Sequence, residues 1–332
     1  MNQDSDLGRE EQSSVLRDRI LSVSHDKLDS YVRSGSTTFE SVAKETLARP
    51  GKHLRTLVAV GWGLYRDSSD LLDGLVKAAL GIELIHEGSL VHDDVFDQSQ
   101  YRRGQAAIHH QFGLRTANNF GLYLIARGIS MLCETQDKYS FRLELPQINQ
   151  LVSSQLMETL PPCTTFEQQR HRMEQVTDGK TGVLFRLASV LGAKVALADG
   201  ASSDDTERAE RFGRIIGRAY QIRDDIADFH EESMEGAYCG SDLAAGNWNW
   251  PALYWAEMAS EWRDAVERVK ACRDNPQGAQ RLANEIRASG ALLRAEQALE
   301  EQLQAAAEIA KQIPLSPGRE LLRQFVSRMK LA

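Results

Sequence analysis

Proline is missing from two long stretches of this 332-residue chain: none stands between Pro50 and Pro146, and none between Pro162 and Pro251. A proline inside a helix costs about 3 kcal/mol, so such stretches permit long helices. Within them apolar residues recur at three- and four-residue steps. Leu75, Ala78, Ala79, Ile82, Ile85, His86 and Ser89 form one such series, and Val183, Leu184, Leu187, Val190 and Leu191 another. That spacing lays one face of a helix against a core. No run of alternating β-branched residues between Asn-Gly or Asp-Gly turns competes with it. The chain reads as all-α.

Breaks are expected at Arg66–Asp70, Leu160–Thr165, Leu197–Asp205, Gly236–Trp250 and Asn275–Gly278. ASSDDTERAERFG reads as a loop feeding a capped helix, with Ser203 or Asp204 as N-cap. EQALEEQLQAAAEIAKQI reads as an amphipathic packing helix. No linker or solenoid-length repeat divides the chain, so one helical domain is expected over 15–332, after a polar, frayed tail at 1–14. With 42% hydrophobic residues, a sizeable core is available.

A net charge of -8 argues against a nucleic-acid partner. Cys133, Cys163, Cys239 and Cys272 show neither disulfide-framework nor zinc-site spacing, which suits a reduced cytoplasmic setting. No stretch reaches the roughly 18 apolar residues of a membrane span, and the first residues do not resemble a secretory leader. A cytoplasmic protein is expected.

The sharpest feature is a repeated acidic pattern: Asp93, Asp94 and Asp97 in SLVHDDVFD, and Asp224, Asp225 and Asp228 in YQIRDDIAD. With 22 aspartates, one DDxxD match is expected about 0.1 times in such a chain, and two about 0.005 times. A single triad would be an ordinary solvated helix face. On a helix Asp93 and Asp97 project together, as do Asp224 and Asp228, and like charges at that spacing repel. The apolar neighbours Leu90, Val91 and Ile222 half-bury these charges, which raises the cost. A hard divalent cation relieves it, and Mg²⁺ accepts carboxylate oxygens while keeping water and phosphate ligands.

Bases bracket the triads. Lys52 and Arg55 lie in GKHLR, Arg102 and Arg103 in RRG, and Lys180 with Thr181 in GKT. Arginine forks and lysine point charges bind phosphate oxygens. GKT is not a Walker loop, since Glu174 stands where its first glycine belongs. Taken alone, His86, one to two turns before the first triad, reads as a core histidine.

These segments resemble the all-trans isoprenyl diphosphate synthases, or polyprenyl synthetases. GKHLRTLVAV resembles their GKRLRP segment, ELIHEGSLVHDDVFDQSQYRRG their first aspartate-rich region, KTGVLF their KT motif, and GRAYQIRDDIAD followed by GSDLAAG their second. The resemblance runs from about Thr38 to Ala252. It implies a single-domain bundle of long helices around a deep apolar cavity, usually a homodimer. Asp93, Asp94, Asp97, Asp224 and Asp228 would hold Mg²⁺, three ions per site, against an allylic diphosphate, with Asp225 in support. Arg102, Lys180 and Gln221 would contact that diphosphate or order the second triad, helped by Thr181. Lys52, Arg55, His86 and Arg103 would hold isopentenyl diphosphate. The implied reaction is ionisation, condensation and elimination, which needs apolar walls and no protein nucleophile.

Three departures stand out. Leu122 replaces an acidic residue in the family's Gly-Asp-Tyr-Leu; Ala237 and Asn247 replace two lysines; Trp248, Asn249 and Trp250 replace Thr-Leu before Pro251. Chain elongation is favoured because Lys52, Arg55, His86 and Arg103 all remain. The alternatives are a class I terpene cyclase or unusual prenyl-transfer enzyme on this scaffold, and a non-catalytic subunit of a synthase. Gly88 and Ser89, just over one helix turn before Asp93, are both small, so a product of C20 or longer is expected unless Phe120 or Tyr123 closes the tunnel.

Overall fold

The computed structural model describes residues 51–64, 69–139, 145–197, 202–230, 239–259 and 261–331, with Asp18, Ser22 and Val42. The tail at 1–14, the start of the Arg66–Asp70 break and Ala237 lie outside the described residues. The described helices begin with α1 (Leu54–Gly63), α2 (Ser69–Phe96), α3 (Ile108–Phe112), α4 (Leu114–Tyr139), α5 (Ile148–Glu158) and α6 (Phe166–Val176). After a π-helical turn at Thr177–Gly182 come α7 (Val183–Leu197), α8 (Ser203–Ala227) and α9 (Ser241–Ala245). The last are α10 (Trp250–Glu257), α11 (Trp262–Lys270), α12 (Pro276–Ala288), α13 (Ala291–Lys311) and α14 (Pro317–Arg328). Two compact units share them: Met1–Leu145, Leu184–Gly213 and Glu308–Phe325 form one, and Pro146–Val183, Arg214–Ala307 and Val326–Ala332 the other.

In the first unit α1 is buried from Arg55 to Gly63, as suits a segment that is apolar nearly all round. Its neighbours come close: a Cβ at Gly61 would strike Leu322 of α14, one at Gly63 would strike Leu75 of α2, and one at Gly192 of α7 would strike the Ala59 carbonyl. The expected face of α2 is buried, with Leu75, Ala78, Ala79, Ile82 and Ile85 fully covered and His86 and Ser89 half-covered. Helices α2 and α4 cross antiparallel through glycines spaced seven apart. A Cβ at Gly81 would lie 2.9 Å from the Gly128 carbonyl oxygen, and one at Gly88 would lie 2.7 Å from that of Gly121.

One small departure from the all-α expectation follows α2. Tyr101–Arg102 pairs antiparallel with Gln105–Ala106 across a turn in which Arg103 and Gly104 both have positive φ, 51° and 74°. That is the signature of a tight primed hairpin turn, here without the usual Asn-Gly. The expected cap of α8 also shifts. Ser202, not Ser203 or Asp204, closes the helix start: its hydroxyl accepts from Asp205 N at 3.3 Å, and Asp205 Oδ2 accepts from Ser202 N at 2.9 Å. A carboxylate three residues on lets both partners satisfy each other's backbone, which a cap one residue later would forgo.

The second unit has a core of small and aromatic residues, including Phe229, Leu243, Trp255, Val269, Leu282 and Ile286. Its helix starts follow local chemistry. Asn249 accepts from Ala252 N at 3.1 Å ahead of Pro251, and Asn275 accepts from Gly278 N at 3.0 Å ahead of Pro276. The break expected over Gly236–Trp250 contains the five-residue α9, set between Gly240 and Gly246, both left-handed. Helix α13 buries Ala295, Leu299 and Leu303 at four-residue spacing, as its pattern required. Among the described residues no helix is long and apolar enough to cross a membrane.

Candidate active site

The end of α2 carries Asp93 and Asp94, and Asp97 is the first residue beyond it, its N–H donating to the Asp93 carbonyl at 2.8 Å. Asp93 is half-buried and Asp97 exposed. Asp94 points elsewhere and is only 3% exposed. Its Oδ1 accepts from Arg102 Nε at 2.8 Å and from the Arg102 NH2 group as well. The hairpin that reverses the chain after α2 makes this possible, since it folds Arg102 back onto the helix. The next residue, Arg103, donates to Glu87 Oε1 at 2.8 Å.

The GKHLR loop joins this cluster. A Cβ at Gly51 would sit 3.6 Å from the Arg103 guanidinium and 3.7 Å from Glu87. His53 begins α1 in the left-handed conformation (φ 43°), and Lys52 beside it is exposed. Arg55 is buried, with its guanidinium 4.8 Å above the Phe185 ring. Burial, and then the charges of Arg55, Arg103, Arg102 and His53, hold His86 well below the usual histidine range. A neutral imidazole among arginines marks a region of positive potential. Thus Arg55, His86 and Arg103 gather in one place, with Lys52 at its edge.

Two acidic residues that the sequence reading passed over organise that cluster. Glu83, 4% exposed, accepts from Thr56 N at 3.0 Å and Thr56 Oγ1 at 3.1 Å, tying α1 to α2. Glu87 pairs with Arg103, while burial raises its carboxyl against that pull. Their four-residue spacing on α2 is the same signal that exposed the aspartates.

Of the two small residues expected to set chain length, Gly88 faces the α4 backbone at the helix crossing. Ser89 is half-buried and donates to the His86 carbonyl at 2.7 Å. Phe120 is buried and stacks on the exposed Tyr123, with centroids 6.4 Å apart. Leu122 is 59% exposed.

In the second unit the GKT segment forms the π turn Thr177–Gly182. Glycines weaken the α-helical register there, and π turns recur at functional sites. Lys180 Nζ reaches Glu158 Oε2 on α5 at 2.7 Å. Thr181 Oγ1 donates to Gln221 Oε1 at 2.5 Å, and Gln221 Nε2 donates to Asp225 Oδ1 at 2.7 Å. Three of the expected residues, Thr181, Gln221 and Asp225, therefore form one relay.

Around the second triad the acids crowd. Asp228 Oδ1 accepts from Ser241 N at 2.9 Å and Ser241 Oγ at 2.5 Å, and its Oδ2 accepts from Asp242 N at 3.3 Å. Asp242 itself has its carboxyl pushed up to about 8 by burial and by the charges of Asp228 and Asp224, against a bond from Asn249. Asp225 is raised well above the usual range by burial and then by Asp242. Burial likewise raises Asp228. Among the described residues the donors to Asp225, Asp228 and Asp242 are neutral: Gln221, Trp250, Ser241, Asn249 and the backbone. Asp242 lies in the GSDLAAG segment, and α9 brings its backbone N–H onto Asp228 Oδ2.

Among the described residues no three His, Cys, Asp or Glu side chains are arranged to cage an ion by themselves. A separate cleft of about 630 Å³ in the second unit is lined by Phe166, Arg170, His171, Glu174, Glu257 and Trp262 among others, and includes none of the expected site residues.

The family model described as polyprenyl synthetase matches residues 36–286. Heptaprenyl diphosphate synthase component 2 of Geobacillus stearothermophilus is 30% identical over 316 residues, 94% of this chain and 95% of that protein. Nonaprenyl diphosphate synthase of Mycobacterium tuberculosis is 29% identical, covering 97% of this chain and 94% of that one. A polyprenyl synthase from Caulobacter crescentus, solved in complex with calcium and isoprenyl diphosphate, superposes with a TM-score of 0.81 at 24% identity, over 96% of this chain and 97% of that one. The last comparison speaks for the all-α fold. Since the family match spans both acidic triads and the relatives align over nearly their whole length, the chain belongs to the polyprenyl synthetase family.

Proposed function

We propose that this protein is a trans-prenyltransferase that condenses isopentenyl diphosphate with an allylic diphosphate, giving a linear prenyl diphosphate of C20 or longer. The observation that carries the reading is the crowd of carboxyls at Asp225, which is buried, and at Asp228 and Asp242, which are half-buried, whose hydrogen-bond donors among the described residues are neutral. The cluster of Arg55, His86 and Arg103 supports it as a place for an anion.

Asp93, Asp94, Asp97, Asp224 and Asp228 are the residues that would hold Mg²⁺. When bound, Mg²⁺ neutralises the allylic diphosphate and stabilises charge developing on it as a leaving group. Arg102, Lys180 and Gln221, with Thr181, orient that diphosphate. Asp225 supports the second triad through Gln221. Lys52, Arg55, His86 and Arg103 hold the diphosphate of isopentenyl diphosphate. The allylic C–O bond breaks and the electron pair leaves with diphosphate. The isopentenyl double bond then attacks the allylic carbon to form the C–C bond, and a proton from the neighbouring carbon passes to the released diphosphate. Apolar walls exclude water from the cation. A homodimer in the cytoplasm completes the proposal.

The test is incubation of purified protein with Mg²⁺, isopentenyl diphosphate and C5, C10, C15 or C20 allylic diphosphates. Longer diphosphates are expected, with none after chelation. A hydrocarbon formed without isopentenyl diphosphate would replace this reading with cyclisation. Absence of any turnover by the chain alone would replace it with a partner-dependent subunit.

A further inference from the structure

Trp250 opens α10 just after the Asn249 cap, and only 4% of it is exposed. Two of its donors reach in different directions. Its backbone N–H donates to Asp225 Oδ2 at 2.8 Å, and its indole Nε1–H donates to Thr177 Oγ1 at 3.2 Å. Asp225 belongs to the second triad, whereas Thr177 is the first residue of the π turn that carries Lys180 and Thr181. Both partners are buried, Asp225 at 4% and Thr177 at 3% exposure.

The same two elements are joined a second time. Thr181, four residues after Thr177, donates to Gln221, which donates to the other oxygen of Asp225. The bonds close a ring: Thr177, Trp250, Asp225, Gln221, Thr181 and back along the π turn. The backbones press together beside it, since a Cβ at Gly217 of α8 would collide with Gly182. Tyr254, one turn along α10, packs on the Trp250 ring with centroids 5.8 Å apart and fixes its plane.

We propose that Trp250 is a positioning residue: its two N–H groups set the spacing between the Asp225 carboxylate and the π turn, and so aim Lys180 and Thr181. In a buried ring each bond is worth keeping, because an acceptor left alone there loses water without replacement. A leucine in its place would have no side-chain donor to make the second bond.

The strut itself is independent of the reaction; its effect on rate rests on the prenyl-transfer reading. Trp250→Phe keeps the ring and the backbone bond and removes the indole donor. Thr177→Val removes the acceptor, and Thr177→Ser retains it. Amide hydrogen exchange of the full chain, read on peptides covering 177–182, is expected to speed about fivefold in Trp250→Phe and in Thr177→Val, the size of one lost bond. The double variant should be no faster than either single one, and Thr177→Ser should match the parent. In turnover, the first two variants should lose about fivefold in kcat with KM for isopentenyl diphosphate unchanged. Unchanged exchange in Trp250→Phe, additive effects in the double variant, or equal loss in Thr177→Ser overturns the strut. Faster exchange with full kcat overturns its positioning role. A parent protein that elongates nothing overturns the prenyl-transfer reading, and the exchange result still decides the strut.

Discussion

Arg102 turns back across the hairpin to bind Asp94, with Nε 2.8 Å from the carboxylate, so the arginine expected on substrate is joined to the middle member of the first triad. Asp94 is nearly inaccessible while the Arg102 side chain is a third exposed. Removing the arginine leaves a buried carboxylate with its main cation gone. Arg102→Ala should lower unfolding free energy by about 2 kcal/mol, discounted for the exposed guanidinium, and Arg102→Lys by about half as much because the fork is lost. Urea denaturation measures both; equal stability of all three proteins would deny the pair a structural role.

Asp93→Ala and Asp224→Ala each remove one member of an i, i+4 acidic pair. Loss of one group that stabilises developing charge typically costs 10²–10³ in rate, so kcat should fall by about that factor in each variant. Far-UV circular dichroism should stay unchanged. In the parent, saturating Mg²⁺ should raise the thermal midpoint, and this increment should shrink in both variants.

His86 gives a pH signature. Its folded value lies well below the ordinary 6.5, so the unfolded chain binds the proton more readily. The stability it contributes is complete above about pH 6.5 and is lost as pH falls from there toward the folded value. The parent should therefore weaken on acidification more steeply than His86→Gln, by up to about 1.4 kcal/mol per pH unit. Denaturant midpoints between pH 5.0 and 7.5 measure the difference; parallel curves would mean that the imidazole takes up its proton over the same pH range in the folded and the unfolded chain.

Gly88 and Ser89 separate packing from chain length. A methyl at Gly88 would meet the Gly121 carbonyl oxygen at 2.7 Å, so Gly88→Ala should cost about 1–3 kcal/mol. Ser89→Phe should instead shorten the product, read by chromatography of the dephosphorylated prenols. An unchanged product distribution would place Ser89 outside the tunnel.

The helical class, the paired aspartates and the basic segments were legible in the sequence because they follow from the 3.6-residue period and from charge, both local properties. The covered face of α2 from Leu75 to Ile85 needed nothing more. Partnership was another matter. Arg102 meets Asp94 only because Arg103 and Gly104 adopt positive φ; Glu83 reaches Thr56 across 27 residues, and Trp250 reaches Thr177 across 73. The cap of α8 fell on Ser202 for a similar reason, since a reciprocal bond with Asp205 outweighs the propensity of either neighbour. A linear pattern states which side chains share a helix face, whereas which groups lose their water to each other depends on how close the helices come, and glycines such as Gly81, Gly88 and Gly217 set that distance through contacts far along the chain.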